Sequence, residues 1–234
     1  SATIPFERNA EAFDNPEGKP LMSIVLIDDG KTGLAQNGKG VMAIGKFPYP
    51  ISIAIDAAWK GAPEAAAAYR KAGYEVLALA DLPQGASAAD TEVSMSALLR
   101  QMPDAVAVME GTGSGLQGNR EMSRRLASIL MATGHGLILS SKGLNSVAKF
   151  AADEGVPVAT LFRDIDSEGQ DARVIRRFLD HAAFKAAQDK NGVVMVGRLR
   201  ADTISALHIW GQADRAARVA LAPVSAVLKG APAP

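Results

Sequence analysis

The sequence predicts an α/β fold built on a parallel sheet. Short apolar runs of strand length alternate with longer amphipathic stretches, and this alternation repeats seven or eight times. No linker, long charge run or internal repeat divides the pattern. Alternation of this kind is typical of βαβ units, in which a helix connects neighbouring parallel strands. Seven or eight units fit either a barrel or a doubly wound sheet, and in both the functional groups gather beyond the carboxyl ends of the strands.

The predicted strands are apolar runs bounded by turn signals. The first and strongest is the run LMSIVLI, which two aspartates and a glycine end. In chain order the strands cover residues 23–28, 51–55, 75–79, 105–109, 137–140, 157–159, 193–196 and 219–222.

The predicted helices fill the amphipathic stretches between these runs. Pro63 suits a first helical turn, Thr91 suits a helix cap, and Gly73 and Gly134 stand where a left-handed residue commonly ends a helix. In chain order the helices cover residues 31–44, 63–72, 91–101, 120–132, 146–154, 170–188 and 202–213.

The chain is predicted to hold one domain over residues 20–229. Residues 1–19 and 230–234 are rich in polar residues, proline or alanine, so we expect a flexible amino-terminal segment and a disordered tail. Ser1 is not a natural start, and we expect that a signal or anchor segment has been removed ahead of it.

Composition excludes several classes of function. The chain carries 25 basic and 25 acidic residues, interspersed, which argues against nucleic acid or an anionic membrane surface as the main partner. No apolar run reaches the roughly 18 residues that a membrane span needs. The absence of cysteine excludes thiol catalysis, zinc–thiolate sites and disulfides.

Two adjacent carboxylates, Asp28 and Asp29, end the first predicted strand. Like charges at the end of a buried strand repel and resist desolvation, so they need compensation from a metal ion, a basic partner or a functional pocket. The alternative is that one aspartate caps a turn or helix while the other lies in water. Both interpretations stay open at this stage.

The residues that follow the other strands are acidic, hydroxylic or basic, and none is histidine. His135, His181 and His208 fall in a turn or on helices instead. The candidate ligand-binding residues at the strand ends are Asp81, Glu110, Ser114, Lys142, Arg198 and Arg200.

Residues 113–118 form a GxGxxG string between a predicted strand and a predicted helix. That context is the one a dinucleotide fingerprint requires, with a pyrophosphate at the helix amino terminus. The string follows the fourth strand rather than the first, and no acidic residue ends the next strand to hold a ribose hydroxyl. An NADP-type nucleotide is therefore an alternative ligand, and a flexible loop at the barrel mouth is the simpler interpretation.

The order and spacing of several segments resemble the divergent polysaccharide deacetylases. The resemblance covers nearly the whole chain, roughly residues 13–228. The segments that carry it are IVLIDD at 24–29, PYPISIAI at 48–55, RKAGYEVL at 70–77, GS at 113–114, GLNSVA at 143–148, GVP at 155–157 and GVVMVG at 192–197.

This resemblance implies a distorted (β/α) barrel of seven or eight parallel strands, related to the NodB-type carbohydrate esterases. It also implies the bacterial periplasm or cell envelope, and a glycan as substrate. Active relatives hydrolyse an acetamide with the help of a metal ion, one aspartate of the strand-one pair serving as base and the other as ligand together with two histidines.

Asp28 and Asp29 match the first of these motifs, but the histidines are missing. Gly111 falls where a strand-four histidine would be, and arginines occupy the segment after strand seven. Arg198 or Arg200 is a candidate for neutralising the aspartate pair, since a guanidinium binds carboxylates in bidentate fashion.

The preferred hypothesis is therefore a degenerate deacetylase that binds a glycan or peptidoglycan strand or an envelope protein. No cofactor is expected. The alternative is an active metal-dependent N-deacetylase, in which Asp28, Asp29 and Glu110 would hold a divalent metal through oxygen ligands.

Overall fold

The computed structural model describes residues 3–142 and 146–230, and in these ranges it forms one curled parallel sheet surrounded by helices. The strands run in the order β6-β5-β4-β3-β2-β1-β8-β7, and β9 pairs with β1 outside this path. All pairings are parallel. The strands are β1 Leu21–Asp28, β2 Ser52–Asp56, β3 Glu75–Ala80, β4 Ala105–Glu110, β5 Gly136–Leu139, β6 Val158–Thr160, β7 Arg163–Asp164, β8 Val193–Arg198 and β9 Ala220–Leu221.

The two ends of this path lie close together because β6 and β7 are consecutive in the chain. Only Leu161 and Phe162 separate them, and their backbone amides donate 2.8 Å hydrogen bonds to Leu139 O and Val194 O, respectively. The short segment from β6 into β7 thus passes from β5 to β8 and draws the sheet into a barrel-like curl. The prediction of a distorted barrel of parallel strands is confirmed.

The described helices occupy the positions between strands that the sequence predicts, with two additions at the ends of the chain. They are α1 Pro5–Arg8, α2 Gly40–Ile44, α3 Ala62–Lys71, α4 Ala88–Gln101, α5 Arg120–Thr133, α6 Ser146–Asp153, α7 Ala172–Ala186, α8 Ala201–Trp210 and α9 Val224–Gly230, with 3-10 helices at Gly33–Gly38 and Ala216–Arg218.

Several local predictions need correction. The helix predicted over 31–44 is broken, because Asn37 adopts a left-handed conformation (φ 58°) within the segment Gly33–Gly38, ahead of α2. Helix α4 begins earlier than predicted, since Ser87 rather than Thr91 accepts the capping hydrogen bond from the Asp90 amide. Strand β7 was not predicted because two charged residues show no apolar run.

The amino-terminal segment was predicted to be flexible, but residues 4–9 pack against the domain. Phe6 is buried, its amide donates to Gly134 O, and the buried Asn9 side chain donates to Pro103 O and Ala105 O. Residues 231–234 of the predicted tail lie outside the described residues. Among the described helices, none is long and apolar enough to cross a membrane.

Successive side chains along each strand point to opposite faces of the sheet. Ile24 and Leu26 of β1 face a core formed with the outer helices, whereas Val25 and Ile27 face an inner core. Phe6 of α1 and Val227 of α9 complete this inner core. The interior of the curl is thereby filled with apolar side chains, and Ile27 at its top lines the open space beyond the carboxyl ends of the strands.

Candidate functional site

A cavity of about 870 Å³ opens at the carboxyl ends of the strands. Ile27, Met109, Leu161 and Val196 are its apolar lining residues from the inner core. The walls come from residues 110–117 after β4, residues 140–142 after β5, and the segment from Phe162 to Gln170. Its volume falls within the range typical of small-molecule sites, and its position is the one that this class of fold uses for function.

Asp28 does not line this cavity. Its side chain is 1% exposed, its Oδ1 accepts a 2.8 Å hydrogen bond from the Gly30 amide, and its Oδ2 accepts a 2.7 Å bond from the Tyr69 hydroxyl. Burial raises the pKa of Asp28, which the two hydrogen bonds oppose. The strand-one aspartate is thus an internal, fully partnered side chain.

Asp29 caps the turn that follows β1. Its Oδ1 accepts hydrogen bonds from the amides of Lys31 (2.9 Å) and Thr32 (2.8 Å), and its Oδ2 accepts one from the Thr32 hydroxyl (2.9 Å). Partial burial works to raise the pKa of Asp29, but these hydrogen bonds outweigh it and the net pKa is lowered. Of the two interpretations left open by the sequence, turn capping describes Asp29, although Asp28 is buried rather than solvated.

Glu110 joins two walls of the cavity. It is 5% exposed, and its Oε1 accepts from the Leu116 amide (2.9 Å). Its Oε2 accepts from the Gln117 side chain (2.8 Å) and from the Ser140 amide (2.7 Å). Both carboxylate oxygens are therefore used in holding the loop after β4 against the loop after β5.

Asp81 organises the glycine-rich loop from the neighbouring strand end. Its Oδ1 accepts from the amides of Gly113 (3.1 Å) and Gly115 (2.6 Å), and a Cβ atom at Gly111 would collide with its carboxylate. A pyrophosphate at a GxGxxG loop needs such amides as donors. Here the amides of Gly113, Gly115 and Leu116 bind carboxylates of the protein itself, which gives the nucleotide hypothesis no support.

Ser114 and Lys142 differ in what their side chains do. The Ser114 hydroxyl donates to Leu82 O and anchors the glycine-rich loop. Lys142 is exposed and lines the cavity, and its carbonyl accepts from the Gln117 side chain (2.8 Å). Of these two predicted residues, Lys142 is the one whose side chain is not used by the loop itself.

Arg198 does not neutralise the aspartate pair, and this prediction is wrong. Its guanidinium binds both oxygens of Asp164 (2.8 and 3.0 Å) and Oδ1 of Asp166 (2.7 Å). Asp166 is 2% exposed, and its Oδ2 also accepts from the Arg198 amide and the Thr203 hydroxyl. Pairing of β7 with β8 brings these groups together.

Arg200 also lies apart from Asp28 and Asp29. It donates to Gln170 O (3.0 Å) and faces Asp202 at 3.7 Å. Neither arginine of the β8 end therefore forms an ion pair with the strand-one carboxylates, within the residues that the structure describes.

Sequence reasoning missed the pair formed by Arg163 and Phe178. The Arg163 guanidinium lies 4.4 Å from the centre of the Phe178 ring, and both residues line the cavity together with Phe162. Arg163 stands near a predicted strand end in the sequence, but its stacking partner comes from α7 and is identifiable only from the fold.

The profile of the family described as divergent polysaccharide deacetylase matches residues 25–228. The chain belongs to this family. A search of curated protein sequences finds no significant match.

Solved structures with TM-scores above 0.5 share the fold of this divergent polysaccharide deacetylase. An uncharacterized protein from Agrobacterium tumefaciens is 19% identical, with a TM-score of 0.77 over 96% of this chain and 95% of that chain. A lactam utilization protein from Thermus thermophilus is 14% identical, with a TM-score of 0.56 over 86% and 99% of the two chains. The peptidoglycan deacetylase PdaC from Bacillus subtilis is 13% identical, with a TM-score of 0.47 over 90% and 91%.

The residues at the strand ends do not fit the metal ion that the deacetylase family implies. Asp28 uses both oxygens in hydrogen bonds, and the Cα of Gly40 packs so closely that a Cβ there would overlap Asp28 Oδ2. Glu110 and Asp29 are engaged in the same way. Among the described ranges 3–142 and 146–230, no group of three or more histidine, cysteine, aspartate or glutamate side chains is arranged to hold a metal.

Proposed function

We propose that this divergent polysaccharide deacetylase is catalytically degenerate and binds a glycan strand in the cavity at the strand ends. The observation that carries the proposal is the state of Asp28, whose carboxylate is buried and bound to Tyr69 and Gly30 instead of facing the cavity. A base must reach the attacking water, and a metal ligand must present an oxygen lone pair that the ion can reach. Asp28 does neither.

The cavity offers what a sugar chain needs for binding. Phe162 and Phe178 provide aromatic surface, and the lining also includes hydroxyl and amide groups at Ser141, Ser167 and Gln170. Sugar rings bind through apolar contact of their C–H faces with aromatic rings and through hydrogen bonds from their hydroxyls to polar side chains. The family description supports a polysaccharide as the ligand, and we extend the proposal to the bacterial periplasm or envelope as its place of action.

The alternative of an active deacetylase with oxygen ligands requires a rearrangement. Asp28, Asp29 and Glu110 would have to exchange their hydrogen bonds from Tyr69, Thr32 and Ser140 for metal coordination. For Asp28 and Glu110 the exchange would leave protein donors without a partner, which is costly because both carboxylates are buried. We therefore propose binding rather than turnover.

The experiment combines binding, catalysis and metal content on the same preparation. We expect chitooligosaccharides or peptidoglycan fragments to bind by isothermal titration calorimetry, with no release of acetate. Addition of Zn²⁺, Mg²⁺ or Mn²⁺ is expected to leave acetate release at background. Metal-dependent acetate release, or a stoichiometric metal ion in the purified protein, would overturn the degenerate assignment.

A cavity-blocking variant locates the binding. Ser167 is exposed at the cavity wall, so Ser167→Trp is expected to abolish glycan binding while leaving the unfolding midpoint unchanged. The matched control is Ser128→Trp, because Ser128 is equally exposed but lies on α5 outside this cavity. Equal glycan affinities in the two variants would show that binding occurs elsewhere.

A further inference from the structure

Arg163 is a half-buried cation in the cavity wall, held in place by an aromatic ring. Its guanidinium lies 4.4 Å from the centre of the Phe178 ring, a distance at which cation–π attraction is effective. Attraction to the ring face restricts where the guanidinium lies but does not use its N–H donors. Arg163 is therefore positioned before any ligand arrives.

The contrast with Arg198 shows that Arg163 has free binding capacity. Arg198, on the neighbouring strand, binds the carboxylates of Asp164 and Asp166. Within residues 3–142 and 146–230, no carboxylate oxygen lies within 4.0 Å of the Arg163 guanidinium, and no hydrogen bond from it is formed. A partly desolvated charge without a counter-charge is unfavourable unless a ligand supplies one.

The charged side chains that line the cavity balance formally, with three cations, Lys142, Arg163 and Arg198, against three carboxylates, Glu110, Asp164 and Glu168. Asp164 shares Arg198 with the buried Asp166, and the oxygens of Glu110 are bound by backbone and side-chain donors. Lys142 is exposed and, like Arg163, has no ion-pair partner in the described structure, while Glu168 is an exposed carboxylate on the lining. The cations without an ion-pair partner thus lie in the walls after β5 and at β7.

We infer that the glycan recognised here carries an anionic group and that Arg163 binds that group, an inference that rests on the proposed function. The anionic group is a carboxylate or a phosphate on a sugar, because the planar guanidinium can bind either group through two parallel N–H donors. Lys142 contributes attraction as a point charge from the opposite loop. The neutral part of the sugar chain contacts the aromatic and hydroxyl groups of the remaining lining.

The test compares ligands that differ only in the anion. A tetrasaccharide of alternating N-acetylglucosamine and N-acetylmuramic acid carries lactyl carboxylates, whereas chitotetraose has the same length without charge. We expect calorimetry to show binding of the carboxylated ligand about tenfold tighter than binding of chitotetraose. A chitotetraose phosphate monoester forms the third arm, and whichever anionic ligand binds more tightly identifies the source of the charge.

Variants then assign the preference to Arg163. Arg163→Gln is expected to remove the tenfold preference for the anionic ligand, together with the salt dependence of that preference, and to leave the affinity for chitotetraose unchanged. Arg163→Lys is expected to restore part of the preference. Arg177→Gln is the matched control, because Arg177 is exposed on α7 outside the cavity. Phe178→Leu keeps the charge but removes the aromatic ring beneath it. Because this ring also offers apolar surface to the sugar, we expect the variant to weaken the anionic ligand more than chitotetraose.

The outcomes separate this inference from the proposed function. Equal affinity of the native protein for the charged and neutral ligands would overturn the role of Arg163 alone. An equal loss for both ligands in Arg163→Gln would do the same, since it would indicate a structural effect. Absence of binding by all three ligands would overturn the proposed function, and this inference with it.

Discussion

The hydroxyl of Tyr69 donates a 2.7 Å hydrogen bond to Oδ2 of Asp28, and both side chains are almost completely buried. Burial raises the pKa of the Tyr69 hydroxyl, and the neighbouring Asp28 charge raises it further, so the tyrosine remains a proton donor to the carboxylate. This bond joins α3 to the carboxyl end of β1. It explains why the aspartate that matches the deacetylase motif is not available to a ligand.

Removal of this hydroxyl is expected to destabilise the fold. Tyr69→Phe leaves a buried carboxylate oxygen without a donor, and the free energy of unfolding should fall by about 1.5–3 kcal/mol, as measured by urea denaturation at neutral pH. Tyr49→Phe is the control, because the Tyr49 hydroxyl donates to a neutral carbonyl, Leu207 O, and about 1 kcal/mol is expected there. A smaller loss for Tyr69→Phe than for the control would contradict the assignment.

Gly40 is expected to resist substitution although it lies in a helix. Alanine normally stabilises a helix relative to glycine by about 1 kcal/mol. Here the added Cβ would overlap both Asp28 Oδ2 and the Tyr69 hydroxyl, so Gly40→Ala should lower the free energy of unfolding by about 1–3 kcal/mol. Gly230→Ala at the end of α9 meets only Leu21 Cδ1 at 4.0 Å and should not destabilise. Matching thermal midpoints for the two variants would refute the close packing.

Glu75 is expected to make the protein less stable as the pH rises. It is fully buried at the start of β3, where it accepts a 3.1 Å hydrogen bond from the Ser225 amide, and burial raises its pKa to about 7. The folded state therefore holds the proton at higher pH than the unfolded state, whose pKa is near 4.5. The resulting stability is complete below about pH 4.5 and is lost as the pH rises through about 7.

The substitution that tests this is Glu75→Gln, which keeps an acceptor for Ser225 but cannot ionise. Urea denaturation at pH 8 should show the variant more stable than the native protein by up to about 3 kcal/mol, with little difference at pH 4.5. Glu64→Gln, at an exposed position on α3, should show no such pH dependence. A parallel pH profile for native protein and Glu75→Gln would rule out the buried proton.

His135, in contrast, is expected to make the protein less stable as the pH falls. It is 4% exposed, its Nδ1 lies 3.0 Å from the Thr133 hydroxyl, and its Nε2 has no hydrogen-bond partner among the residues that the structure describes. Burial and the nearby Arg8 charge lower its pKa to about 4. Stability from the neutral ring is present above the unfolded pKa of about 6.5 and is lost as the pH falls through about 4.

His135→Asn retains a group that can bond to Thr133 but removes the titration. We expect its unfolding free energy to change less between pH 6.5 and pH 4 than that of the native protein, by up to about 3 kcal/mol. His181→Asn, at an exposed position on α7, is the control. The idea fails if the acid sensitivity of His135→Asn equals that of the native protein.

Loss of the Glu110 carboxylate is expected to lower both the stability of the fold and the affinity of the cavity for a glycan. In Glu110→Gln an amide group must replace one of two oxygens, and it would then face the N–H donors of Leu116 or Ser140. The unmatched donors should cost about 1–3 kcal/mol and should weaken glycan binding, because the two walls lose their link. Asp104→Asn, outside the cavity, serves as the control in the same denaturation and calorimetry measurements. Native-like affinity in Glu110→Gln would show that the walls hold their positions without this carboxylate.

Much of the fold could be predicted because the strands are apolar and the intervening helices amphipathic. Residues 21–28 illustrate this, since seven of the eight are buried and both faces of the strand meet apolar cores. Helix α9 was not predicted, because seven residues after a proline carry too little periodicity. Its place inside the curl depends on long-range contacts, such as the hydrogen bond from the Val224 amide to Ser52 Oγ.

The site was less predictable than the fold. Sequence reasoning located the strand ends correctly, and Glu110, Lys142 and Arg198 do line the cavity. It could not choose among carboxylates for Arg198, because the pairing of β7 with β8 decides that Asp164 and Asp166 are the partners. It also placed Asp28 in the site, whereas a tyrosine 41 positions later in the chain holds it inside the protein.

The short segment from β6 to β7 brings the two ends of the sheet close together. Residues Thr160 to Ile165 include the end of β6, the two-residue connection and all of β7, and they pass from the β5 side of the sheet to the β8 side. Phe162 and Arg163 in this segment line the cavity. A sugar chain bound there would contact the segment that passes from one end of the sheet to the other, where β6 has three residues and β7 has two. Occupancy should therefore slow hydrogen exchange at the amides of Leu161 and Phe162 more than elsewhere, so that recognition and closure of the ring reinforce each other.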